Sequence, residues 1–278
     1  MLVGDYLAHT AVRRTRTLAI SILLEDLLSR FRPEDWHLKG SCAIWGWLGG
    51  QSRLPQDVDI CIAQSALAYL DGSYRDTQDT ERAVRLVRTQ RIRFTPGRDK
   101  PPVYRYLFKV GAPSIDLVLA NVLVEEDLSV RSDDRLGSIQ IPACSMPLPA
   151  VRITRCLAQK LLRYTLRRSG SRVNTKWIDL FDFCTVIACA QAPRIRMGEL
   201  REDVHKEFDN VGRGTPALLP PAPVEWLDYW DTNQFVEGTS FGDLEEAESW
   251  VRRFWEPVFS NDVPNHSVWS PSEQRWSG

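Results

Sequence analysis

The sequence is poor in the patterns that announce metal fingers, disulfide frameworks or membrane spans. Its six cysteines (Cys42, Cys61, Cys144, Cys156, Cys184, Cys189) include no C-x-x-C pair, and its four histidines are scattered. Neither a zinc site nor a disulfide scaffold is indicated. No apolar run approaches the ~18 residues that a bilayer span requires. The best one, Leu18 to Leu24, runs straight into Glu25-Asp26 and is too short for a signal-peptide core. These absences predict a cytoplasmic chain with no membrane partner. There is no internal repeat. With 43% hydrophobic and 26% charged residues among 278, the composition also excludes a disordered or collagen-like chain.

A net charge of −1 conceals an asymmetry. Residues 151–200 hold ten Lys/Arg against three Asp/Glu, whereas 201–250 hold three against twelve. The basic block, with Arg163, Arg167, Arg168 and Arg172, is a candidate for tracking an RNA backbone. Alternatively, the two blocks are solvated helix faces that salt-bridge to one another. Upstream, Arg82, Arg85, Arg88, Arg91 and Arg93 recur mostly at steps of three, the spacing of an exposed helix face.

The periodicity predicts a buried helix over 15–31, ended by Pro33, then a short extended piece at 35–38. Lys39-Gly40-Ser41 with the apolar run to Leu48 reads as a strand, a tight turn and a helix. Residues 57–63 alternate as a strand does, and helices are predicted at 64–71 and 78–91. Strands are expected at 103–110, 114–119 and 138–142. From Pro149 the period becomes helical: Ile153, Leu157, Leu161 and Tyr164, then Trp177, Phe181, Cys184 and Ala188. The Pro-rich stretch 214–223 reads as a crossing loop, 224–232 and 242–256 as Trp-rich helices, and the polar tail from 263 as loose. Strands first and helices afterwards predict an α+β domain over 1–148, followed by a helical domain over 149–278.

Three features carry the chemistry. Asp57 and Asp59 are two apart on a predicted strand, so their carboxylates share a face and repel until a hard cation such as Mg²⁺ joins them. Asp116 lies within a further apolar strand, where a carboxylate is costly unless it is paired or bound to metal. Gly40-Ser41 opens a helix directly after a strand, where free N–H groups and a hydroxyl can cradle phosphate. A D-x-D alone is most often surface decoration; the order and spacing of all three are what raise it above chance.

Together these residues resemble the nucleotidyltransferase superfamily, with its Gly-Ser, its D-x-D and its later Asp. Leu38-Lys39-Gly40-Ser41-Cys42-Ala43, Arg53 to Asp59, Ala158-Gln159-Lys160-Leu161 and Asp179 to Phe183 narrow the resemblance to the AbiEii/AbiGii-type toxin family, over residues 36–190. The resemblance implies a nucleotidyltransferase-like fold and transfer of an NMP from an NTP to an RNA acceptor such as the tRNA 3′ end. It also implies a toxin opposed by a cognate antitoxin protein. Asp57, Asp59 and Asp116 would hold Mg²⁺ (or Mn²⁺), with Asp116 alternatively the base. Gly40, Ser41 and Lys160 would bind the nucleotide, with Asp182 beside Lys160 in the cleft.

Two of these residues have a plainer reading. Lys160 and Asp182 sit on apolar helix faces and can equally form a structural ion pair, whereas Asp179 is expected to be exposed. Two rivals remain open for the whole chain. One is an aminoglycoside-type nucleotidyltransferase, which the acidic block would suit. The other is a catalytically inactive binding module on the same fold.

Overall fold

Ala19, Ile20, Leu23, Leu24 and Leu27 recur at three- and four-residue steps and are buried along a first helix, α1 (Val3–Arg30). A computed structural model describes residues 3–75, 83–92, 103–111, 115–125, 128, 136–166, 177–232 and 243–278. It divides the chain into two compact units, one of Met1–Gly50 with Leu54–Val151, the other of Gln51–Arg53 with Arg152–Gly278. The boundary falls at Val151 rather than at 148, and the three residues 51–53 belong with the second unit.

In the first unit α1 is followed by β1 (Trp36–Lys39), α2 (Gly40–Trp47), β2 (Val58–Ala63), α3 (Gln64–Arg75) and β3 (Val84–Ile92). Then come β4 (Val103–Val110), β5 (Asp116–Glu125), β6 (Leu136–Ile139) and β7 (Leu148–Val151). The strands form one seven-stranded mixed sheet in the order β3-β4-β5-β2-β1-β7-β6. β2 runs parallel to β5, and β1 parallel to β7; the other neighbours are antiparallel. This is the α+β class expected. Alternation sets the two faces of the sheet. Tyr106, Phe108, Val118, Ala120 and Val122 are buried on one face. Tyr74 of α3 packs edge-on against Phe108, and the Tyr106 hydroxyl donates to Asp71 at 2.7 Å. The opposite face of β4 and β5 carries Arg105, Leu107, Leu117, Leu119 and Asn121; Arg105 and Leu117 are exposed.

The helix predicted at 78–91 is corrected by β3; residues 76–82, with Arg82, and Arg93 lie outside the described residues. The arginines have the spacing of a helix face, but Val84 pairs with Val110 and Ile92 with Val103 across a register shift between Leu86 and Arg88. Charged side chains and a bulge on an edge strand both discourage pairing with another chain.

The second unit contains α4 (Ile153–Thr165), α5 (Trp177–Ala188), α6 (Met197–Asp209), α7 (Leu227–Thr232), α8 (Leu244–Phe259), β8 (Val268–Ser270) and β9 (Arg275–Ser277). Asp243 caps α8 by accepting from the Glu246 N–H at 2.8 Å, with Glu246 at the third helical position. The crossing at 214–223 has neither helix nor strand, and Tyr164 and Arg252 donate to its Pro220 and Leu219 carbonyls. The tail from 263 is not loose. β8 and β9 form a hairpin whose Trp269 and Trp276 rings pack on Phe254. Their indole N–H groups donate to the carbonyls of Ile187 and Phe254. Two amphipathic rings seven residues apart order an otherwise polar segment. No helix among the described residues is long and apolar enough to cross a membrane.

Candidate active site

β1 delivers the chain to a turn at Gly40, where φ is +63°. A Cβ at this position would overlap the Asp59 carboxylate, so glycine is required by both the backbone conformation and the close approach. Lys39 stands opposite Asp59 across the β1–β2 pair. Asp57 immediately precedes β2 and Asp59 lies within it, both half-buried.

A third residue joins these two carboxylates. Asn121, aligned with Asp59 in the β2–β5 register, donates its amide Nδ2 to Asp57 Oδ2 at 2.7 Å and to Asp59 Oδ1 at 2.9 Å. Both carboxylates therefore aim at one point, where an N–H donor now relieves their repulsion. Two convergent carboxylates fit a hard divalent cation that completes its shell with water and phosphate oxygens. Among the described residues no three His, Cys, Asp or Glu side chains converge in this way. Asn121 was not anticipated, although it is the one amide in an otherwise apolar and acidic strand, Asp-Leu-Val-Leu-Ala-Asn-Val-Leu-Val-Glu.

Asp116, expected as the third carboxylate, is not brought to this point. It opens β5 five residues before Asn121, roughly 16 Å away along an extended strand and on the opposite parity. Arg16 Nη1 donates to Asp116 Oδ2 at 2.9 Å and to the Leu117 carbonyl at 2.7 Å, while Nη2 donates to the Gln56 carbonyl at 2.5 Å. Asp116 thus helps α1 clamp the strand ends that lead into Asp57 and β5. Asp116→Asn is expected to cost about 1 kcal/mol of stability, since Arg16 keeps two carbonyl partners and the pair is partly exposed. It should leave any transfer activity within a few-fold of wild type; paired melts and rate measurements check both.

Lys160 and Asp182 do meet, in the second unit, inside a buried ion cluster. Lys160, 1% exposed, places Nζ 2.6 Å from Asp182 Oδ2 and 3.2 Å from Asp179 Oδ1. Arg53 forks Asp182 through Nε and Nη2, both at 2.8 Å. Arg163 donates to Asp179 from Nε at 3.1 Å and from Nη2 as well. Burial pushes the Asp182 carboxyl up, but the charges of Lys160 and Arg53 outweigh it and bring its pKa down to about 2. The ion pair that the plainer reading expects is present, with the ammonium between two carboxylates. Asp179, expected to be exposed, is fully buried because Lys160 and Arg163 both reach it. Of the arginines assigned to RNA, Arg163 is engaged here, and Arg167, Arg168 and Arg172 lie outside the described residues.

The two charge blocks also pair with one another. Arg155 meets Glu207 at 2.8 Å, and the Thr154 hydroxyl donates to Asp203 at 2.7 Å with Arg152 near the same carboxylate. Part of the acidic block is thereby consumed within its own unit.

No protein-family model matches the chain, and no curated protein matches it. The AbiEii/AbiGii-type resemblance therefore rests on the residues quoted for it. Among solved structures, an antigenic nucleotidyltransferase-like protein from Paracoccidioides brasiliensis is similar at 16% identity with a TM-score of 0.38, covering 70% of this chain and 87% of that one.

Proposed function

We propose that the first unit is a divalent-cation-dependent nucleotidyltransferase that moves an NMP group from an NTP to the 3′ end of an RNA, tRNA being the first acceptor to test. One observation carries this reading: the Asp57 and Asp59 carboxylates converge on a single point beside the Gly40 turn. Asp57 and Asp59 would hold the cation. Bound Mg²⁺ (or Mn²⁺) supplies charge neutralisation for in-line attack at the α-phosphorus and for departure of pyrophosphate. Gly40 and Ser41 offer backbone N–H groups and a hydroxyl at the start of α2, a helix whose N-cap residue makes no side-chain cap. The two carboxylates are also the bases at hand for the proton of the acceptor hydroxyl, because Asp116 is engaged by Arg16. In this reading the chain acts as a growth-inhibiting toxin countered by a cognate antitoxin protein.

An RNA acceptor is supported by the cations on the sheet face that carries Asn121. Arg88 pairs with Leu107, Arg85 with Lys109 and Gln90 with Arg105, which sets these cations on the same face as Asn121 and interleaves them with leucines. The deciding experiment incubates the protein with Mg²⁺, each labelled NTP in turn, total tRNA and, separately, aminoglycosides. Label on RNA with one NTP upholds the proposal; label on aminoglycosides alone replaces the acceptor, and no transfer to either overturns it.

RNA affinity should fall log-linearly with salt, by about 0.7 per single-strand phosphate contact. Neutralising Arg85, Arg88 and Lys109 with glutamine should flatten that slope. A slope that the triple substitution does not change moves the RNA path off this face.

A further inference from the structure

The orientation of the Asn121 amide is fixed from both ends. Its Nδ2 donates to both carboxylates, and its Oδ1 accepts from Arg105 Nε at 3.2 Å. Rotating the amide by half a turn would set its oxygen against two carboxylates and its hydrogens against a guanidinium, so only one orientation is electrostatically tolerable. Arg105 lies directly across the β4–β5 pair from Asn121, and Asn121 is aligned with Asp59 across the β2–β5 pair. Four neighbouring strands thus contribute a row of Arg105, Asn121, Asp59 and Lys39, with Asp57 beside it. The charges in this row are two negative and two positive. A carboxylate at position 121 would bring a third anionic ligand to the same point, giving a second divalent cation the protein ligand it needs beside water and phosphate oxygens.

We propose that Asn121 is the positioning residue of a one-cation site. Its amide holds the Asp57 and Asp59 carboxylates convergent while the protein is free of metal. Its lack of charge, with the Arg105 guanidinium behind it, restricts the site to a single divalent ion. The inference rests on the reading of Asp57 and Asp59 as cation ligands and adds the number of cations and the residue that sets it.

Asn121→Asp keeps the side-chain shape and adds the missing charge. The test is a Mn²⁺ titration followed by electron paramagnetic resonance, with thermal melts of the full chain in EDTA and in Mn²⁺. Wild type should take up one Mn²⁺ per chain. Asn121→Asp should melt several degrees lower in EDTA and recover in Mn²⁺, and should either take up a second ion or hold the first roughly tenfold more tightly, a gain of about 1.4 kcal/mol. Asn121→Ala, which leaves the carboxylates unbridged, should keep the stoichiometry of one and bind a few-fold more weakly. Asp116→Asn should titrate as wild type does.

One Mn²⁺ in wild type with unchanged affinity and stoichiometry in Asn121→Asp overturns the inference and leaves the nucleotidyltransferase reading standing. No uptake by wild type overturns that reading and the one-cation site with it. If Asn121→Asp does not fold, the decision passes to Asn121→Ala, where unaltered Mn²⁺ affinity is the overturning result.

Discussion

Lys160→Ala is expected to lower the unfolding free energy by about 3–5 kcal/mol, the usual cost of removing one partner from a buried ion pair. The size follows from what is left behind. Asp182 would keep Arg53, and Asp179 would keep Arg163, but both carboxylates would lose their shared ammonium in a region where each is at most 1% exposed. Lys160→Met with Asp182→Leu should recover much of the loss, because the lysine and its closest carboxylate leave together and Arg53, more exposed than either, can turn toward water. Chemical denaturation of the two singles and the double measures this. A Lys160→Ala protein as stable as wild type would contradict the structural role.

The same cluster sets an acid limit. The Asp182 pKa is lowered from 3.8 to about 2, so the unfolded chain takes up this proton before the folded one does, and stability rises with pH across that interval. The contribution, about 2 kcal/mol, is fully present above pH 4 and is lost as pH falls through 2. Asp182→Leu, paired with Lys160→Met, should flatten this part of the acid unfolding curve.

The fold was legible wherever one face of an element is buried and the other is wet. The stripe through Ala19, Leu23 and Leu27, the alternation of β2 and the apolar faces of α4 and α5 all follow from period alone. β3 misled because its arginines carry a helix spacing on a strand that is an exposed edge, so no buried face imposes period two. The hairpin from Val268 to Ser277 misled for the opposite reason: two tryptophans supply its burial, and the residues between them are polar. In the candidate site, the pairing of Asp57 with Asp59 is a property of a single strand and can be read from the sequence. The place of Asp116 is a property of register between strands, which only the β2–β5 alignment reveals. That alignment sets Asn121, and not Asp116, at the carboxylates.

Asp57→Asn and Asp59→Asn should each lower nucleotidyl transfer by about 10³-fold or more, since either change removes a charge that the cation, and through it the developing charge on the phosphates, depends on. Neither should cost the fold much. The replacements are isosteric, and an asparagine oxygen can still accept from the Asn121 amide that now bridges the pair at 2.7 and 2.9 Å. In EDTA both variants should melt at or slightly above the wild-type temperature, because one of two like charges at close range has been neutralised. In Mn²⁺ or Mg²⁺ the order should reverse, with wild type gaining stability by binding and the variants gaining little. This crossing of melting temperatures separates loss of a ligand from loss of structure, which an activity assay alone does not do. Asp116→Asn serves as the control, one carboxylate fewer in the same unit with its Arg16 contact outside the convergent point, and its metal-induced stabilisation should equal that of wild type. Transfer that persists undiminished in EDTA, or a wild-type melt that divalent cations do not move, would remove the cation from the site and the proposed chemistry with it.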